Sequence, residues 1–150
     1  MNFLARLTLS WFGTGYAPKA PGTAGSLAAL PFAWIIFSTW GPIGLVAAAG
    51  LAFLIGWAVA AKTPDAGHDP GWVVIDEVAG QWLTLAFVTP EPLIYAVGFI
   101  AFRVFDIFKP WPIRTLERNV PGALGVMIDD IAAAVYAGLL TYVVSLALGS

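Results

Sequence analysis

The sequence predicts an all-α membrane protein: a polytopic helical bundle of four to five apolar helices with an N-terminal interfacial helix. Three observations predict it. Hydrophobic residues make up 59% of the chain and charged residues 11%, against about 45–50% and about 25% in an average soluble domain. Residues 20–61 and 131–150 carry no charge at all. The charges that do occur gather in short islands, at 62–77, 103–118 and 129–130. A chain of 150 residues is enough for one domain, 1–150, and no internal repeat or linker divides it.

The elements follow in order. Residues 2–12 place Phe3, Leu7 and Trp11 on one stripe, the pattern of an interfacial amphipathic helix. The segment 1–13 has one Arg and no small-residue cleavage site after an apolar run, so it is not read as a secretory signal. A bilayer core takes about 20 apolar residues as a helix, so the charge-free stretch up to residue 61 holds two. Trp40-Gly41-Pro42 breaks it, giving helices at 26–39, with a bend expected at Pro31, and at 43–61. The third apolar stretch, 78–88, is short by itself. A start near Val73 would draw Asp76 and Glu77 into the membrane boundary. Thr89-Pro90-Glu91-Pro92 reads as a turn at the membrane surface. Helices at 93–108 and 131–148 complete the set.

If each of the five runs crosses, residues 1–25, 62–77 and 109–130 share one side. All seven basic residues (Arg6, Lys19, Lys62, Arg103, Lys109, Arg114, Arg118) then lie on or nearest that side, which the positive-inside rule makes cytoplasmic. The net charge of −2 argues against a nucleic-acid partner. The absence of Cys excludes a cysteine nucleophile, a disulfide framework and a thiolate metal site. Oligomeric state is not encoded in any visible pattern.

Four polar islands are candidates for chemistry. Residues 13–26 hold four glycines, two prolines, Thr23, Ser26 and Lys19 ahead of a helix start. Small residues and a helix N-terminus suit an anion, but the loop lacks the Walker order and reads equally as a capped glycine-rich turn. The second island carries Asp65, His68, Asp69, Asp76 and Glu77. Asp76 and Glu77 stand inside Val-Val-Ile-Asp-Glu-Val, where a mere helix-start acid would not be expected, and hard cations take carboxylate oxygens. His68 is the single His; a lone His is more often structural than catalytic, and its chemical reading is a general base or a partner to a ligand. In the third island Arg103, Asp106 and Lys109 repeat at three-residue spacing. They share a helix face, which suits either phosphate binding or a helix-end salt bridge. The fourth island places Asp129 and Asp130 at the opening of the last helix, one expected to face the bundle and the other the surface. A helix cap explains one Asp and not two. An oxygen-ligand metal site among Asp69, Asp76, Glu77, Asp129 and Asp130 is the preferred reading.

With those islands quoted, the chain resembles the phosphatidylglycerophosphatase A family of bacterial inner-membrane lipid phosphatases. The matching stretches are 17–27, His68-Asp69, Asp76-Glu77 with Gly80, the string Phe102-Arg-Val-Phe-Asp-Ile-Phe-Lys-Pro-Trp-Pro-Ile-Arg114, and Gly125-Val-Met-Ile-Asp-Asp-Ile131. They run in order over nearly the whole chain. The resemblance implies Mg²⁺-dependent hydrolysis of phosphatidylglycerophosphate, a phospholipid substrate, to phosphatidylglycerol at the cytoplasmic membrane boundary. On that basis Asp76, Glu77, Asp129, Asp130 and His68 are expected to be catalytic. Asp76, Glu77, Asp129, Asp130 and Asp69 are expected to hold the metal. Lys19, Thr23, Ser26, Arg103 and Lys109 are expected to bind the phosphate. A small helical ion transporter using buried carboxylates is the alternative, although such proteins usually place their site near the midplane between repeated halves.

Overall fold

The structure is a computed structural model that describes residues 3–63 and 71–149. The described residues form helices and connecting turns, with no strand among them. In order they are α1 (Phe3–Leu9), a 3₁₀ turn (Thr14–Tyr16), α2 (Pro21–Ala61), α3 (Ile75–Leu85), α4 (Pro92–Phe108), α5 (Ile113–Asn119) and α6 (Gly122–Ala147).

Helix α1 is shorter than its sequence pattern. Trp11, Phe12 and Gly13 have φ of 49°, 57° and 89°, in the left-handed region that cannot continue a helix. Trp11 therefore leaves the Phe3–Leu7 stripe and packs edge-on against Phe32 and Trp82. The Leu9 carbonyl accepts the Val74 N–H at 2.8 Å, which ties α1 to the chain entering α3.

Helix α2 begins at Pro21 rather than at 26, because proline suits a first helical turn. It is two arms, as expected. Gly41, with φ 74° and ψ −169°, is the residue within it that leaves helical angles, while Pro31 keeps them. Small residues bring the arms onto their neighbours. A Cβ at Gly25 would meet Val74 at 2.8 Å, and one at Gly56 would meet Ile75 at 2.8 Å and Met127 at 2.9 Å. The Trp82 indole N–H, on α3, donates to the Ala29 carbonyl of α2 at 2.9 Å.

Helix α3 starts at Ile75, so Asp76 and Glu77 occupy its first turn. Its 11 residues reach about 16 Å, about half of a hydrocarbon core. Helix α4 ends at Lys109, whose φ of 47° turns the chain. The short α5, which the sequence pattern did not predict, follows Trp111 and Pro112. The turn between α4 and α5 is held by Arg114 Nη2 donating to the Phe108 carbonyl at 3.1 Å. The Tyr136 hydroxyl of α6 donates to the Trp111 carbonyl at 3.0 Å.

Helix α6 begins at Gly122, well ahead of the predicted 131. Asp129 and Asp130 therefore sit inside the helix and do not open it. Nor does one of them reach the surface: they are 3% and 1% exposed. A Cβ at Gly80 would lie 2.6 Å from the Phe102 ring and 2.9 Å from the Asp130 carbonyl, so α3, α4 and α6 meet in close contact there. Two helices, α2 and α6, are long and apolar enough to cross a membrane.

Candidate active site

Three helices each deliver part of one polar cluster. The first turn of α3 supplies Asp76 and Glu77. The C-terminal part of α4 supplies Arg103 and Asp106, with Lys109 as its C-cap. The interior of α6 supplies Asp129 and Asp130. The start of α3 and the end of α4 lie together because the two helices run antiparallel through the Thr89–Glu91 turn.

Within the cluster Arg103 Nη1 pairs with Asp106 Oδ2 and lies 3.9 Å from Glu77 Oε1. Lys109 Nζ donates to Asp129 Oδ2 at 2.6 Å and to Asp106 Oδ1 at 3.3 Å. Asp106 thus holds both cations in place. Burial alone would lower the Lys109 pKa. The hydrogen bond to Asp129 and the charges of Asp106, Asp129 and Asp130 outweigh it and raise the ammonium above the ordinary lysine value.

The acids outnumber the bases, five against two. Asp76, Asp106, Asp129 and Asp130 are buried. One oxygen each of Asp76, Glu77, Asp129 and Asp130 is buried with no hydrogen-bond partner among the described residues. Ligand oxygens of Asp76, Asp129 and Asp130 come within 4.8 Å of one another, as do those of Glu77, Asp106 and Asp130. Buried carboxylates with unmatched oxygens are costly unless a positive charge offsets them. A hard cation with oxygen ligands fits this donor set.

Six residues expected from sequence are brought together: Asp76, Glu77, Asp129, Asp130, Arg103 and Lys109. The glycine-rich loop contributes differently from expectation. Lys19 is exposed two residues ahead of α2, with no ion pair to the described residues. Thr23 is half-buried, and Ser26 is buried with its hydroxyl unpartnered. The residue of this loop that touches the cluster is Gly22: a Cβ there would lie 2.8 Å from Glu77 Oε1 and 3.1 Å from Arg103 Nη2. His68, Asp69 and Asp65 lie outside the described residues.

Asp106 and Gly22 are site residues that the sequence reading did not assign. The three-residue spacing of Arg103, Asp106 and Lys109 was the available signal for Asp106. Nothing local separates Gly22 from the other glycines of its loop.

A family model described as Phosphatidylglycerophosphatase A matches residues 7–145. The Phosphatidylglycerophosphatase A of Escherichia coli (strain K12) is 46% identical over 137 residues, covering 88% of this chain and 78% of the relative. A protein of Bacteroides thetaiotaomicron named Putative phosphatidylinositol-3-phosphatase is 37% identical over 161 residues, covering 99% and 98%. The Phosphatidylglycerophosphatase A of Haemophilus influenzae is 38% identical over 136 residues, covering 89% and 83%. No solved structure matches the chain.

Proposed function

The chain belongs to the phosphatidylglycerophosphatase A family, and from that membership we propose how it removes the phosphate of phosphatidylglycerophosphate: with Mg²⁺ among its buried acids, at the cytoplasmic boundary of a bacterial inner membrane. The observation that carries the reading is the triad of Asp76, Asp129 and Asp130. Its oxygens lie within 4.8 Å of one another, each acid has an oxygen without a protein partner, and Arg103 and Lys109 stand beside it.

Asp76, Asp129 and Asp130 would hold the ion. The chemistry Mg²⁺ supplies when bound is Lewis-acid polarisation of the phosphoryl group and offset of its charge. Arg103 and Lys109 bind the phosphate oxygens, and Asp106 fixes both cations so that little reorganisation is needed in the transition state. Gly22 lets the first turn of α2 lie against Arg103. Thr23, one residue on, would add a hydroxyl. Glu77, outside the Asp76–Asp129–Asp130 triad and with a side chain 15% exposed, accepts the proton of the attacking water. His68 and Asp69 keep their expected roles.

In the proposed topology the arms of α2 cross outward and back, α3 leads to the Thr89–Glu91 turn, α4 returns, and α6 crosses outward. This supports a single polar face, because it brings the start of α3 and the end of α4 to one level. All seven basic residues then fall at the cytoplasmic end. A lipid headgroup made at that leaflet would meet the cluster directly.

The test is phosphate release from phosphatidylglycerophosphate by the purified, detergent-solubilised protein, with Mg²⁺ and with EDTA. Phosphatidic acid and phosphatidylinositol 3-phosphate serve as competing lipids. Release that stops with EDTA, returns with Mg²⁺ and prefers the first lipid is expected. Release that is indifferent to EDTA would remove the metal assignment.

A further inference from the structure

We infer that the site holds one divalent cation and that Arg103 is the fixed occupant of the second cation position. The inference rests on the Mg²⁺ reading above and deepens it. Two carboxylate groups share Asp130: Asp76–Asp129–Asp130 and Glu77–Asp106–Asp130. Two such groups joined through one acid are the donor arrangement of a two-metal phosphatase site. The two are not equivalent.

In the first group three oxygens, Asp76 Oδ1, Asp129 Oδ1 and Asp130 Oδ2, are buried with no partner among the described residues. Among the same residues its single contact with a basic side chain is Lys109 to Asp129 Oδ2 at 2.6 Å. In the second group both oxygens of Asp106 are taken, Oδ2 by Arg103 and Oδ1 by Lys109 at 3.3 Å. Glu77 Oε1 lies 3.9 Å from the same guanidinium. The guanidinium is also covered from the α2 side. A Cβ at Gly22 would fall 3.1 Å from Nη2 and 3.2 Å from Nη1, so backbone lies where a larger residue would push Arg103 out.

A guanidinium cannot be deprotonated at any working pH and presents its donors in a rigid fork. Seated between Glu77 and Asp106 it does the electrostatic work of a second ion without dissociating. Its Nε has no partner among the described residues, which leaves a donor for a phosphate oxygen. A second divalent cation would have to displace it against two acids and the α2 backbone.

The count of bound Mn²⁺ decides this, measured on the folded, detergent-solubilised chain by calorimetry and by electron paramagnetic resonance. One Mn²⁺ per chain with an uncoupled spectrum is expected. Two ions with exchange coupling would leave the metal reading standing and overturn this inference. No bound Mn²⁺ would overturn the metal reading and this inference with it. Arg103→Ala opens the second group, so its count rises to two and coupling appears; a count that stays at one would mean Arg103 fills no cation position. Arg103→Lys keeps a cation there and holds the count at one. A rise to two in Arg103→Lys would count against the inference.

Discussion

Asp130 is 1% exposed and has an oxygen with no hydrogen-bond partner among the described residues. A group in that state is destabilising by itself, so the neighbourhood must be built for a charge that it meets in use. Asp76 and Asp129 share this condition, and replacing either should hurt function. Asp76→Asn and Asp129→Asn are expected to lose at least about 100-fold in phosphate release, the scale of removing a principal electrostatic stabiliser. Asp76→Asn removes a like charge from an acid-rich cluster, so its melting temperature should stay level or rise, whereas Asp129→Asn takes the carboxylate that Lys109 pairs with and should lower it; both are read on the same purified protein. Lys109 behaves in the opposite way. Its pKa is raised by Asp129 and its neighbours, so its contribution to stability is complete below the unfolded lysine value of about 10.4 and lost only as pH climbs through the folded one. Lys109→Met should therefore cost roughly 3 kcal/mol, the low end for a broken buried pair. The gap from the parent in denaturant titrations should stay constant from pH 7 to about pH 10. At this scale most of the site was legible, because acids inside Val-Val-Ile-Asp-Glu-Val and Met-Ile-Asp-Asp-Ile are too expensive to be incidental. Asp106 was less legible because Arg103 and Lys109 at three-residue spacing offer it a plain salt bridge. Gly22 was not legible at all, since its role is a contact with residues more than 50 positions away in sequence.

Helix packing decides whether those side chains meet. The approach of α3 to α4 and α6 is set at Gly80, where a methyl would lie 2.6 Å from the Phe102 ring and 2.9 Å from the Asp130 carbonyl. Backbone cannot yield as a flexible side chain can. Gly80→Ala is expected to destabilise by about 1–3 kcal/mol, the usual cost of overpacking, and to lower activity by shifting Asp130. Gly50, with nothing within 4 Å of an added Cβ, is the matched control. Gly50→Ala should be neutral or stabilising by up to about 1 kcal/mol; thermal unfolding and phosphate release on both variants check the pair. The break at Gly41 was legible because Gly and Pro stand together there. The start of α6 and the whole of α5 were not. Apolar continuity served as the criterion for a helix, and it stops at charge. The stretches Ile-Arg-Thr-Leu-Glu-Arg and Gly-Ala-Leu-Gly-Val-Met-Ile-Asp-Asp are nevertheless helical: the polar side chains of the first are exposed, and Asp129 of the second meets Lys109.

The molecule as a whole is divided by charge. In the proposed topology one end carries all the basic residues and the acid cluster, and the other end carries the Gly41 break and the Thr89–Glu91 turn. A chain without cysteine makes this testable with single substitutions at two exposed threonines. Thr115→Cys should react with a membrane-impermeant maleimide only from the cytoplasmic side, and Thr89→Cys only from the opposite side. Reaction of both from one side would reject the alternating topology. Among the described residues α2 and α6 are the helices long and apolar enough to cross, and α3 is too short to advertise itself as a span. One further consequence lies in the order of synthesis. Helix α6 carries two acids inside it, near its first turns, and each would oppose its partition into lipid. The partner of Asp129 is a lysine 20 residues earlier, already made when α6 emerges from the ribosome. In that topology entry of α6 into the bilayer is expected to depend on α4 having arrived, and the Lys109–Asp129 pair would serve as a checkpoint of biogenesis. Loss of α6 protection against protease in freshly made Lys109→Met chains, relative to the parent, would show it.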